Sequence, residues 1–339
     1  MTLSQLRTFA LVARLGSLHA AALALGISEP AVSAALAALR KDLDDPLFVR
    51  TGSGISFTAG GRRLAARADE IVGLAEQLRR EVGEAGTAIA SLRVVASPAF
   101  EEHAAGALLE TFTRRTPGSR VQLDVRSGSG FTPSLIWRSA DIALGPRPQA
   151  VADVVLDVVP FLRYQRIVVA SPAHPLARSG ARVPLAVLLS HPWLTGPAGV
   201  EELTEEGRWL VQQDRQPDLV RLPSEREALA AAEAGEGVML ALAAVAREAL
   251  RGGKLVRLDV EGTPVAGLWC ASTLSLGRAS AGARLLQRFV TTPEASAAML
   301  APRARKVRRP GSAVHVTLWS SPKAGTAFRS RAEPGPDGP

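Results

Sequence analysis

Cysteine is almost missing from this chain: Cys270 is the single example, which excludes an intrachain disulfide and suits a reducing compartment. It lies in the apolar run Leu268-Trp269-Cys270-Ala271 and reads as a small buried hydrophobe. Long hydrophobic runs are missing too. No segment reaches roughly 18 uncharged apolar residues. The richest stretch, Leu229 to Leu250, is broken by Glu233, Gly235, Glu236, Gly237 and Arg247. The Ala/Leu-rich stretch from Thr8 to Ile27 is interrupted by Arg14 and His19 and has no run of basic residues ahead of it, so it reads as helix and not as an export signal. A cytoplasmic protein with no membrane partner is expected. Catalytic patterns are equally scarce: there is no nucleophile elbow, P-loop, dinucleotide fingerprint or zinc-protease helix. The five histidines, at 19, 103, 174, 191 and 315, have no ligand spacing. No catalytic residue, metal or cofactor is assigned.

Charge of one sign is also lacking where a nucleic-acid binder would need it. The net charge of +8 is concentrated at one end. Residues 1–90 hold 10 basic and 9 acidic side chains, residues 91–301 hold 22 and 21, and residues 302–339 hold 8 and 2. A case for DNA binding therefore has to rest on pattern.

The pattern is present. Ser17 to Leu25 is an Ala/Leu-rich helix, Gly26 suits its left-handed end, and Ser28 suits the cap of a second helix with Pro30 in its first turn. Helix, three-residue turn and helix make a helix-turn-helix. In the second helix Val32, Leu36 and Leu39 mark the buried stripe, and the other face shows Glu29, Ser33, Ala34 and Ala37. Leu3, Leu6, Phe9 and Val12 place a supporting helix in front. Pro46 to Arg50 and Ile55 to Thr58 flank Thr51-Gly52-Ser53-Gly54, a two-stranded wing with a glycine-rich tip.

Residues 3–64 resemble the DNA-binding domain of the LysR-type transcriptional regulators, through Leu3-Ser4-Gln5-Leu6-Arg7-Thr8-Phe9, Ala20-Ala21-Ala22, Leu25-Gly26-Ile27-Ser28, Pro30-Ala31-Val32-Ser33, Leu47-Phe48-Val49-Arg50 and Phe57-Thr58-Ala59-Gly60-Gly61. The resemblance implies a recognition helix from Ser28 to about Lys41 and a wing arginine at Arg50. Two positions depart from the family's pattern, Glu29 where glutamine is common and Ala34 where arginine or glutamine is frequent. Glutamine pairs with adenine, whereas glutamate only accepts, as from cytosine N4. Glu29 also reads as a charge favouring its helix N-terminus. Direct readout is thinned, leaving more to DNA shape and to Arg50 in a minor groove. Phosphate contacts are expected from Arg40, Lys41, Arg62 and Arg63, opposed by Asp42, Asp44 and Asp45.

Leu64, Ala68, Ile71, Ala75, Leu78 and Val82 are spaced 4, 3, 4, 3 and 4 apart, the seam of a coiled coil on one long helix. Packing within the chain is the alternative reading. The resemblance favours a homodimer, or a tetramer built from it, reading a pseudo-palindromic double-stranded operator.

From Leu92 onward strands and helices alternate between Gly/Pro turns, as in a mainly parallel sheet. Ser224 to Glu227 has the pattern of a capping box. This order resembles the family's effector-binding domain, two α/β lobes joined by crossover strands near 158–164 and 263–269, as in periplasmic binding proteins. The expected organisation is α/β overall: a winged helix-turn-helix (1–58), a linker helix (59–90), an effector domain (91–300, lobe I about 91–160 and 266–300, lobe II about 161–265) and a basic, largely disordered tail (301–339). The resemblance implies a small-molecule effector between the lobes, and position matching offers Ser97, Ser127, Gly128, Ser129, Thr195 and Gly196. Ser97 reads equally as a helix cap, Ser127 to Gly130 as a flexible turn, and Thr195 as a strand end. An anionic or carboxylate effector is expected.

In the tail, Ala313 to Trp319 alternates like a short strand without an assigned partner, and Arg303, Arg305, Lys306, Arg308 and Arg309 read as a solvated linker or as a phosphate-contacting arm. Two other classes compete with the regulator: an α/β enzyme with an appended DNA-binding domain, and a periplasmic solute-binding protein. The first needs a clustered nucleophile or metal set, the second an export signal where the helix-turn-helix stands.

Overall fold

The computed structural model describes residues 1–51, 54–84, 90–151, 154–178, 182–197, 199–200, 204–211, 217–275, 277–301 and 314–317. Helices α1 (Leu3–Leu15), α2 (Leu18–Leu25) and α3 (Glu29–Leu43) come first, then the hairpin β1 (Phe48–Thr51) and β2 (Gly54–Phe57), then the 26-residue helix α4 (Ala59–Glu84).

Local chemistry sets the helix ends. The Thr2 and Gln5 side chains bond each other's backbone N–H in a capping box that opens α1. Gly26, at φ 67, closes α2 in a conformation that costs glycine nothing, and the Ser28 hydroxyl accepts from the Ala31 amide to open α3. Val32, Leu36 and Leu39 of α3 are buried against Leu6, Phe9 and Val12 of α1. Phe57 stands edge-on to Phe9 and Phe48, each at 6.1 Å, so the wing is pinned to the helices through aromatic contacts.

The second unit follows. Strand β3 (Ala90–Ala96) leads into α5 (Pro98–Phe100), a π-helical turn at Glu101–Ala105 and α6 (Gly106–Arg115). Then come β4 (Ser119–Val125), α7 (Phe131–Ile136), β5 (Ile142–Gly145) and the 15-residue β6 (Leu156–Ala170). Next are α8 (Pro175–Arg178), α9 (Leu185–Leu188), β7 (Trp193–Thr195), α10 (Glu205–Val211), β8 (Leu219–Arg221), α11 (Glu225–Ala234), β9 (Met239–Leu242), α12 (Ala243–Arg251) and β10 (Val256–Arg257). The last are β11 (Val265–Leu274), α13 (Ala281–Phe289), α14 (Pro293–Leu300) and β12 (Val314–Thr317).

The main sheet runs β10-β6-β11-β5-β3-β4-β12, with β9 also on β6. Strand β3 is parallel to β4 and β5, whereas β6 and β11 run antiparallel from Leu156↔Leu274 to Arg166↔Val265. These two long strands carry the chain between two lobes. One core gathers Phe100, Phe112, Ile142, Leu144 and Trp269; others gather Ile167, Ala228 and Met239, and Val168, Trp193 and Leu240. The tail strand finds a partner here: β12 lies parallel to β4 in the register Val314↔Val121 to Thr317↔Asp124, at the edge of the sheet. The basic run 303–309 and the wing tip Gly52-Ser53 lie outside the described residues.

Among the described residues the two units meet around Trp137 and Arg138. The Arg14 guanidinium of α1 sits 4.4 Å over the Trp137 ring, and a side chain at Gly73 of α4 would collide with the Trp137 carbonyl oxygen. Arg138, next in sequence, bonds the Gln77 side chain and the Arg278 carbonyl, and Arg278 pairs with Glu70.

Candidate functional site

The exposed face of α3 carries Glu29, Pro30, Ser33, Ala34, Ala37 and Lys41, preceded by the exposed cap Ser28. With Val32 and Leu39 fully buried, the helix is fixed in rotation, so this small and polar face is the one offered outward. Glu29 has a partner that the spacing did not suggest: its Oε1 lies 2.5 Å from His19 Nδ1 on α2. Arg62 and Arg63 are exposed on α4, and Arg62 also donates to the Phe57 carbonyl at 2.7 Å. Arg40 departs from expectation. Its guanidinium stacks 4.2 Å over Phe48 and donates to the Phe48 carbonyl, so it fastens the wing and is not a free phosphate ligand. The backbone of Arg50 is paired with Ile55 in the wing hairpin.

The seam divides in two. Leu64 and Ala68 pack into the core of their own winged domain and are not free for a partner. Beyond them an apolar stripe is open to solvent, with Ile71 41%, Leu74 44%, Leu78 61% and Val82 67% exposed and Ala75 half-buried. Leu74, which the heptad count passed over, belongs to this stripe.

A third constellation lies between the lobes, in a cleft of about 50 Å³. It brings together Ser97, Ser127 and Gly128 from one lobe with Thr195 and Gly196 from the other; exposed Ser129 stays outside and shares a 2.7 Å hydrogen bond with Ser127. The Ser97 hydroxyl also caps α5, accepting from the Phe100 amide. The floor is made by the crossover strands, with Tyr164 and Arg166 on β6 and Trp269 on β11.

The sequence reading missed the charged groups here. Arg166 donates to Glu225 Oε1 at 2.9 Å and to the Leu240 carbonyl at 3.2 Å, and His103 Nε2 lies 2.9 Å from Glu225 Oε2. Burial opposes ionisation of Glu225, but Arg166 and His103 hold it down at about 2. Glu206 is buried with the Trp193 indole N–H as its direct donor, at 2.5 Å. Burial pushes it up to about 7 against the pull of Arg166 and that N–H. Tyr164 donates to Glu205 at 2.7 Å, and burial with that carboxylate raises its pKa, keeping it a donor. Of the three carboxylates, Glu225 is paired with Arg166 and Glu205 with Arg208, whose Nη2 lies 3.4 Å from Glu205 Oε1.

The lobes also touch directly. The Glu102 carboxylate accepts from the Glu225 and Arg226 amides at 2.9 and 2.8 Å, at the start of α11. The Ser224 hydroxyl caps that helix, but the Glu227 carboxylate turns to the same hydroxyl and does not complete the capping box.

A winged helix-turn-helix joined through a long helix to a two-lobed ligand domain defines a ligand-responsive DNA-binding regulator. Residues 3–62 match the bacterial regulatory helix-turn-helix protein, lysR family, and residues 85–292 match the LysR substrate binding domain. The chain belongs to the LysR family of transcriptional regulators, and the enzyme alternative falls with that assignment. It is 40% identical over 326 residues to an HTH-type transcriptional regulator of Mycobacterium tuberculosis, covering 94% of this chain and 100% of the relative. To CbbR of Xanthobacter flavus it is 28% identical, covering 80% of this chain and 81% of the relative. Among solved structures it is similar to ArgP from Mycobacterium tuberculosis, at a TM-score of 0.55 and 21% identity, over 86% of this chain and 96% of that one. No single helix among the described residues is long and apolar enough to cross a membrane.

Proposed function

We propose that the chain acts in the cytoplasm as a homodimer that lays two α3 helices on a pseudo-palindromic operator and changes its hold on the DNA when an effector occupies the interlobe cleft. In this reading the winged helix-turn-helix takes residues 1–58, the linker 59–90, of which α4 spans Ala59–Glu84, and the two-lobed effector domain 91–300. The observation that carries this reading is the face of α3, where Ser28, Glu29, Pro30, Ser33, Ala34 and Ala37 stand exposed while Val32, Leu36 and Leu39 are buried. Small side chains there allow the backbone close to base edges, with Ala34 suited to a thymine methyl and Glu29 to a cytosine amine. Lys41, Arg62 and Arg63 supply phosphate contacts, and Arg50 on the wing reaches an adjacent minor groove. The stripe Ile71, Leu74, Ala75, Leu78 and Val82 supports pairing along α4.

The test is recovery of genomic DNA bound by the purified full-length protein at two salt concentrations. A narrow two-fold motif that persists at the higher salt is expected. Binding that is blind to sequence and lost with salt would overturn the reading and leave the charged tail as its cause.

A further inference from the structure

Resting on the reading of the interlobe cleft as the effector site, we infer that its ligand is a small organic cation, a primary amine or guanidine, held by Glu206 and Glu205 against the aromatic wall of Tyr164 and Trp269.

The carboxylates of the cleft disfavour an anion. Arg166, Glu225 and His103 close on one another through contacts of 2.9 Å, and a further Arg166 N–H goes to the Leu240 carbonyl. An incoming carboxylate or phosphate would lose its water, meet an Arg166 already paired with Glu225, and face Glu205 and Glu206. For a cation the same surroundings are favourable. Glu206 is only 7% exposed, and it makes no ion pair among the described residues; the neutral Trp193 N–H is its direct hydrogen-bond donor. A buried carboxylate without a direct ion pair is costly, and a bound ammonium or guanidinium supplies one.

Two further features point to a ligand in the same space. Thr195 lines the cleft at 3% exposure, and its hydroxyl meets no hydrogen-bond partner among the described residues. A hydroxyl at the cleft wall without a protein partner is a position that a ligand N–H or O–H would satisfy. Tyr164 and Trp269 stand with ring centroids 4.8 Å apart on the floor, and π-faces beside carboxylates are the surroundings in which organic cations are recognised. A metal ion is a poorer fit, since no group of three His, Cys, Asp or Glu residues among those described is arranged to hold one.

The test is calorimetric titration of the full-length protein with agmatine, putrescine, arginine and lysine, and separately with succinate, malate, phosphate and magnesium ion. Each is titrated into the wild type, Glu206→Gln, Thr195→Val and Ser127→Trp. Glu206→Gln keeps an acceptor for Trp193 while removing the charge, Thr195→Val keeps the side-chain shape, and Ser127→Trp fills the cleft mouth. Saturable binding of at least one organic cation is expected, weakened about tenfold or more by Glu206→Gln and abolished by Ser127→Trp. Thr195→Val should weaken it severalfold, and it carries the test if Glu206→Gln does not fold. An anion or magnesium that binds the wild type and is lost in Ser127→Trp would preserve the cleft as the effector site and overturn the organic cation. A cation whose binding is unchanged in all three variants would overturn both readings. Silence from every cationic probe would overturn the inference.

Discussion

A carboxylate buried without a direct ion pair responds to acid in the opposite sense from one paired with a guanidinium. Glu206, at about 7 in the fold against an ordinary 4.5, burdens the folded state once ionised. That cost is present above about pH 7, shrinks as pH falls toward 4.5 and is absent below it. Glu225, at about 2, contributes stability that is full above 4.5 and is lost as pH falls through 2. Between pH 8 and 5.5 only the Glu206 contribution changes of these two. The melting temperature of the wild type should therefore gain relative to Glu206→Gln as pH is lowered across that interval; a constant difference between the two proteins would refute the assignment. Sequence could not have found this residue. Glu205-Glu206 follows Glu201-Glu202 and reads as a solvated acidic surface, and only the fold brings Trp193 over it. Ser97 and Thr195 are offered only by matching positions to the family's effector domain. On the DNA side, Glu29→Gln should move base preference toward adenine at one position of each half-site, by about 1–3 kcal/mol of discrimination, as read by competition among operator variants. His19→Ala should loosen the same preference, since it removes the group that holds the Glu29 carboxylate.

Among the elements, α4 shows most clearly what periodicity can and cannot tell. A 4-3 spacing marks which residues share a face, but it does not say what covers that face. Along α4 the cover changes: Leu64 and Ala68 are taken by the winged domain, and from Ile71 to Val82 the stripe is open. Ile71→Glu should therefore give monomers with an intact fold, whereas Ala68→Glu should unfold the winged domain by burying a charge at a position with no exposure. Sedimentation velocity and thermal melting separate the two, and equal effects of both variants would refute the division. The helix-turn-helix itself was readable to the residue, because Gly26, Ser28 and Pro30 each satisfy a separate backbone requirement of one short turn. The π-helical turn at Glu101–Ala105 carried no such marker, and with it went unseen Glu102 and His103, which reach across to the other lobe.

For the whole molecule, charge is distributed by region. The winged domain and effector domain are nearly neutral, and the excess lies in residues 302–339. Truncation after residue 301 should lower sequence-blind DNA binding at low salt and flatten its salt dependence, while operator preference stays the same in binding titrations. An unchanged salt slope would show that the tail does not reach DNA. The same truncation removes β12 and uncovers the edge of β4.

Trp137 touches α1 and α4 together, so the sensing lobe holds the reading head and its shaft by one bearing. Gly73 stands 14 residues from Ala59, about 21 Å along the helix. Turning the shaft by about 10° at that bearing swings its far end through roughly 4 Å, close to one base-pair step of DNA. A pair of such shafts, turned together, would measure out a longer or shorter span between the two half-sites they grip.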